Sequence, residues 1–128
     1  MKDLNIEPGK YIPGVCFNSE TNTFDIKGDS YPENTLAFYK PVFSWLETYL
    51  GELENQEITI NMEPRYFNSS SSQILMDIFD ILEKEASSGR GITINWICDP
   101  ENEIIMEFGE DFQEELNAVQ FNLIEKEA

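Results

Sequence analysis

The chain has 128 residues, a length that makes one domain with a core of its own and needs neither disulfide nor metal to fold. Eight Lys and Arg against 25 Asp and Glu give a net charge of −17, a surface that repels nucleic-acid phosphates and anionic lipid headgroups. Histidine is absent, which removes Ser-His-Asp and Cys-His nucleophilic sites, His-ligated zinc and histidine phosphorelay on this chain.

The lead-in contains Pro8, Gly9, Pro13 and Gly14 and reads as irregular. Residues 1–5 hold no apolar signal core, and no stretch approaches a membrane-spanning length. Val15 to Asn18 reads as a short strand. Turn residues follow to Asn22, and Thr23 to Gly28 alternates as a second strand, so an antiparallel hairpin is expected. Cys16 and Cys98 are far apart with no CxxC spacing, which predicts two reduced, buried thiols in a cytoplasmic protein.

Leu36, Tyr39, Val42, Phe43, Leu46, Tyr49 and Leu50 fall on one helical face that ends at Gly51. Pro41 lies inside this pattern, so the helix either begins near it or kinks there. Ile58 to Met62 alternates as a strand. A helix is then expected from about Ser70 to Ser87, with Ser70 as cap and Gln73 reaching back to complete a capping box. Ile92 to Cys98 is the next strand, and Asp99 with Pro100 reads as the start of a helix running to Leu116. Val119 to Leu123 fits a last short edge strand before a frayed acidic tail.

Strands joined by helices imply parallel pairing through right-handed crossovers. The fold class is therefore α/β: a small mixed sheet of four to five strands with an antiparallel N-terminal hairpin, then β-α-β-α units, with helices packed on it. Residues 58–62 and 92–98 are expected to be parallel neighbours. Ile-Thr-Ile-Asn occurs at both 58–61 and 92–95, which reads as shared strand preference.

Chemistry is concentrated in one loop. Asn68-Ser69-Ser70-Ser71-Ser72 is poor helix interior and good helix entry. With Ser70 as cap, Ser69 would sit just outside the helix with a free hydroxyl. A phosphate there would meet the positive end of the helix and unpaired N–H groups. Helix capping alone also explains such a run. Asp77 and Asp80 lie three apart and could converge as an acid/base pair or on a metal, but in a chain this acidic such pairs arise by chance and a solvated helix edge is the favoured reading. Gly89-Arg90-Gly91 is a helix-to-strand turn and not a phosphate loop.

Gly28-Asp29-Ser30-Tyr31-Pro32-Glu33-Asn34, the loop Phe67-Asn68-Ser69-Ser70-Ser71, the helix Met76 to Glu83 and the pair Asn102-Glu103 together resemble the SiaC family of small bacterial regulatory phosphoproteins. The resemblance runs from about Thr23 to Leu116, and residues 1–128 are read as one SiaC-like domain. It implies a fold similar to the STAS domain and no catalytic or metal residues. It also implies a cytoplasmic switch without cofactor, in which a SiaB-like partner kinase phosphorylates this loop and a PP2C-type phosphatase reverses it. The unphosphorylated form would bind and regulate a diguanylate cyclase, and through it cyclic di-GMP and biofilm behaviour. The matched phosphoacceptor is Ser69, where a protein of that family carries threonine; Ser70 and Ser71 are the alternatives in register. Asp29, Ser30, Tyr31, Asn34 and Asn68 are expected to form the partner site beside it. For Tyr31, a buried hydroxyl tying the loop to the core is the alternative. The competing reading is a small-molecule or nucleotide-binding module that uses the loop from Gly28 to Asn34.

Overall fold

The computed structural model describes residues 3–52 and 56–126. Its strands are β1 (Leu4–Ile6), β2 (Gly14–Asn18), β3 (Thr23–Ser30), β4 (Ile58–Phe67), β5 (Ile92–Cys98) and β6 (Gln120–Glu125). Its helices are α1 (Thr35–Glu52), α2 (Ser69–Ser87) and α3 (Glu103–Glu115). Among the described residues the strands form one six-stranded sheet in the order β1-β2-β3-β4-β5-β6. The first three strands pair antiparallel, and β3 through β6 pair parallel.

This is the expected α/β architecture, and β4 and β5 are parallel neighbours as the two β-α units require. Two strands more than the minimum are present. Leu4–Ile6 is too short to show a period, so the lead-in conceals β1. The edge strand at the C-terminal end is six residues long and reaches Glu125, where fraying was expected; Glu127 and Ala128 lie outside the described residues.

Three successive crossovers in one direction, all of one hand, place their helices on the same side of the sheet. The burial pattern agrees. In β4 and β5 every second side chain is buried, from Ile58, Ile60 and Met62 to Ile92, Ile94, Trp96 and Cys98. These meet Tyr39, Val42 and Leu46 of α1, Leu75, Phe79 and Leu82 of α2, and Ile105 and Phe112 of α3 in one core. The alternate side chains form an open, polar face. Cys16 belongs to that face and is exposed, contrary to the expected burial, because β2 turns Val15 and Phe17 inward and Cys16 outward. Cys98 is buried, and burial, then the charges of Glu125 and Asp99, push its thiol up from the ordinary 9.0.

The repeated Ile-Thr-Ile-Asn segments lie side by side in matching register, Ile58 on Ile92 through Asn61 on Asn95. On the open face the asparagines bond to one another. Asn122 Nδ2 donates to Asn95 Oδ1 at 3.0 Å, Asn95 Nδ2 to Asn61 Oδ1 at 2.9 Å, and Asn61 Nδ2 to Asp25 Oδ1 at 2.8 Å. The direction of this ladder is fixed by its last member. An ionised carboxylate can only accept, so Asn61 must turn its amide nitrogen to Asp25, and each asparagine behind it must follow.

β4 runs five residues past Met62, through Pro64, where the sequence suggested a loop. Proline has no N–H to give a ladder. Pairing with β5 ends at Met62 opposite Trp96, and pairing with β3 shifts between Gly28 and Asp29, leaving Arg65 as the extra residue of a bulge. Pro64 therefore sits where the ladder is already interrupted. Gly28 has φ 115, a conformation that favours glycine, but it serves this bulge and not a turn.

Helix α1 continues through Pro41, which is exposed, and neither begins nor ends there. Leu36 does not join the inner face; it is 72% exposed in the first turn. In α3 the cap is Asn102 and not Asp99, whose carboxylate instead accepts from Glu101 N–H in the turn ahead of the helix.

Gly109 lets α3 lie against Trp96. A Cβ at Gly109 would stand 2.5 Å from Trp96 Cδ1 and 2.6 Å from Leu123 Cδ2. Trp96 is fully buried and donates its indole N–H to Ile105 O at 3.0 Å, so it cannot yield. Replacing a helical glycine by alanine ordinarily gains about 1 kcal/mol. Overpacking costs roughly 1–3 kcal/mol. Gly109→Ala is therefore expected to lower the melting temperature despite the propensity gain, and an unchanged or raised value would refute the packing argument.

Glu83 of α2 holds the turn into β6. Its carboxylate accepts N–H bonds from Asn117, Ala118 and Val119 at 2.8–3.1 Å. Burial pushes this group up, but the three backbone bonds outweigh it and hold it below its ordinary 4.5. A carboxylate depressed by folding contributes stability above its unfolded value and loses it as the pH falls through the native one. Glu83→Gln is expected to be less stable to urea at neutral pH. The deficit should shrink at pH values below 4.5, and a deficit independent of pH would contradict the assignment.

Candidate functional site

The C-terminal ends of β3, β4 and β5 lead into the N-termini of α1, α2 and α3, so three helix starts share one edge of the molecule. Each is capped by an asparagine, and the three are evenly spaced in sequence. Asn34 Oδ1 accepts from Ala37 N–H at 3.1 Å, Asn68 Oδ1 from Ser71 N–H at 2.9 Å, and Asn102 Oδ1 from Ile105 N–H at 3.3 Å. The cap of α2 is thus Asn68 and not Ser70, and Gln73 does not reach back; its amide lies 3.4 Å from Asp77.

This two-residue correction decides the fate of the four serines. Ser69 is the first residue of α2 and is exposed, as is Ser70. Ser72 donates its hydroxyl to Ser69 O at 2.8 Å. Ser71 is fully buried. Its Oγ lies 2.9 Å from Ser30 Oγ, which lies 2.5 Å from the Tyr39 hydroxyl. Burial pushes the Tyr39 phenol above its ordinary 10.0, against the lowering effect of the Ser30 bond. The hydroxyl that ties this region to the core is therefore that of Tyr39, not Tyr31. Asn68 N–H also donates to Ser30 O at 3.1 Å. The end of β3, the helix α1 and the start of α2 are fixed to one another at this point, with Ser69 and Ser70 presented outside it.

The heptapeptide is divided among three environments. Ser30 is buried among these hydroxyls and not on the surface. Asp29 turns to the open face of the sheet, where both its oxygens hold the Arg65 guanidinium. That bond, opposed by burial and aided by the charge of Arg65, keeps Asp29 below its ordinary 3.8. Tyr31 is half-buried, its ring edge-on to Tyr11 at 5.2 Å and to Tyr66 at 5.3 Å. Asn34 and Asn68 occupy their caps. Of the expected contact residues, Tyr31, Asn34 and Asn68 stand at the edge that carries Ser69, while Asp29 and Ser30 do not face it.

Sequence reasoning missed the exposed apolar side chains at this edge. Leu36, Tyr66 and Ile104 are 72%, 52% and 67% exposed. Leu36 and Ile104 are each the second residue of a helix, the position that Ser70 holds in α2. Even spacing of the three asparagines was the signal that could have placed them. Asp77 and Asp80 are exposed on α2, and among the described residues no three His, Cys, Asp or Glu side chains gather as for a metal. No helix among the described residues is long and apolar enough to cross a membrane.

What this edge can do is hold a charge at a defined place. Ser69 lies at the positive end of a 19-residue helix. The amides of Ser69 and Ser70 precede the first intrahelical bond, so a phosphate on the hydroxyl has donors beside it.

A profile described as "SiaC family regulatory phosphoprotein" matches residues 6–126. An uncharacterised protein of Pseudomonas aeruginosa is 31% identical over 115 residues, 90% of each chain. The crystal structure of apo-SiaC from Pseudomonas aeruginosa superposes with a TM-score of 0.90 at 29% identity, covering 97% of this chain and 99% of that one. A chain in the crystal structure of the diguanylate cyclase SiaD with its activator SiaC, from the same organism, superposes with a TM-score of 0.91 at 29% identity, covering 97% of this chain and all of that one. With residues 6–126 matched, nearly its whole length, the chain belongs to the SiaC family of regulatory phosphoproteins.

Proposed function

We propose that this chain is a cytoplasmic adaptor that acts by binding, not by catalysis. Its form with a free Ser69 engages and regulates a diguanylate cyclase. A partner kinase phosphorylates Ser69 to release it, and a PP2C-type phosphatase restores it. The observation that carries the reading is the exposed Ser69 hydroxyl at the first position of α2, locked in place through buried Ser71, in a chain of a phosphoprotein family. The SiaC relative crystallised with its cyclase supports the choice of partner.

The switch is local. Phosphate adds about −1.5 to −2 of charge at neutral pH, little beside the −17 already present. A contact that had covered a small hydroxyl must then desolvate a near-dianion, which costs several kcal/mol in effective terms. The helix start accommodates the same group, so the fold survives. The burial of Ser71 supports Ser69 or Ser70 over Ser71 as the acceptor.

Intact mass after incubation with the cognate kinase and ATP should show one added phosphate, lost in Ser69→Ala and kept in Ser70→Ala. Ser69→Asp should bind the cyclase about tenfold or more weakly, and Ser69→Ala should bind in the presence of kinase and ATP. A protein that never gains phosphate sinks the reading; a phosphate kept in Ser69→Ala and lost in Ser70→Ala moves the site by one residue.

Tyr31 tests the extent of the surface. Aromatic side chains dominate binding energy when a partner covers them. Tyr31→Ala is expected to weaken cyclase binding by about 1–2 kcal/mol per folded molecule, read by titration calorimetry. Unchanged affinity would place the contact elsewhere on the edge.

A further inference from the structure

The side of the sheet away from the helices carries a cavity of about 670 Å³. Its floor is made by side chains of β2, β3 and β4, including Cys16, Asp25 and Glu63, and the lead-in segment with Ile6, Pro8 and Ile12 forms one wall. A cavity of a few hundred Å³ holds a drug-sized molecule. No residue of the serine loop lines it.

The charges decide what fits. Lys27 Nζ and Lys126 Nζ share one oxygen of Glu63, at 3.5 and 3.1 Å. Arg65 is held by both oxygens of Asp29. All three cations lining the cavity are thus already satisfied by carboxylates. Asp25 is not so matched. It makes no ion pair among the described residues, and its recorded bond is from Asn61 Nδ2 to Oδ1. Behind Asn61 stand Asn95 and Asn122, every amide turned with its donor toward Asp25. The ladder fixes the carboxylate in position and leaves Oδ2 for a donor from outside. The net charge of −17 concentrates cations at any such concavity.

We propose that this open-face cavity is a binding site for a small organic cation, a primary amine on an apolar body, with the ammonium on Asp25 and the body against Ile6, Pro8 and Ile12. An anion is disfavoured because every lysine and arginine there is engaged, and Glu7 and Asp99 add further negative charge at the rim. The cavity takes in Gly28 and Asp29, so a small-molecule site involving the start of the heptapeptide exists on the opposite side from its buried Ser30.

The test uses the full chain and two probes of the same shape. Tryptamine carries the ammonium, and tryptophol replaces it with a neutral hydroxyl. Tryptamine should give saturable shifts of the side-chain amide signals of Asn61 and Asn95 in two-dimensional NMR. Tryptophol should bind at least about tenfold more weakly. Asp25→Asn keeps the shape and an acceptor for Asn61 but removes the charge, and should weaken tryptamine by a similar factor. Cys16→Trp, at an exposed position on the floor, should abolish the shifts while leaving phosphorylation of Ser69 intact. Absence of saturable tryptamine binding, equal binding of tryptophol, or tryptamine binding unaffected by Asp25→Asn or Cys16→Trp would each overturn the proposal.

Discussion

The buried contact among Ser30, Ser71 and Tyr39 is the constraint on which the candidate functional edge depends. Three hydroxyls in an apolar interior cost free energy unless each finds a partner. Here each is satisfied by another, and among the described residues no buried side-chain nitrogen or oxygen lacks a partner. The arrangement is worth little as net stability, since every bond replaces one to water. Its value is positional. Ser30 ends β3, Tyr39 sits one turn into α1, and Ser71 lies in the first turn of α2, so the two bonds set where α2 starts. The exposure of Ser69 and the burial of Ser71 are two consequences of that single placement.

The same contact explains how far the site could be read from the chain. Alternation in Thr23–Gly28, Ile58–Met62 and Ile92–Cys98, with apolar periodicity in the segments between, was enough for the parallel α/β order. The heptapeptide and the serine loop were enough for the family. Neither gives the register of a serine run. Any of four adjacent serines can cap a helix, and what draws Ser71 inward is a hydroxyl 41 residues away in sequence. Similarly, Asp29 and Ser30 are neighbours in the chain, but strand alternation sends one to each side of the sheet. Beyond Met62 the strand continues through Pro64, because its missing N–H coincides with a bulge against Gly28 that nothing local in the sequence reveals.

The acidic surface is organised, not merely dense. Glu83 spends its charge on three backbone donors, Asp29 on Arg65, and Glu63 on two lysines. These are the carboxylates that structure the turn before β6, the bulge in β4 and the attachment of the C-terminal segment. The exposed acids of α3, such as Glu107, Glu110 and Glu114, make no such commitment in the described structure and supply the solvated charge.

The asparagine ladder also bears on how the sheet finds its alignment during folding. Ile58, Ile60, Ile92 and Ile94 would still face the core if β4 slid past β5 by two residues, and the threonines would still face outward. Hydrophobic pattern alone penalises a slip of one residue and is nearly blind to a slip of two. Asn61 and Asn95 are not blind to it. A two-residue displacement sets Asn61 against Thr93 or Ile97 and Asn95 against Glu63 or Thr59, and disconnects Asp25 from the row behind it. A repeated tetrapeptide, which invites ambiguity between two adjacent strands, thus carries in its fourth residue the mark that removes it.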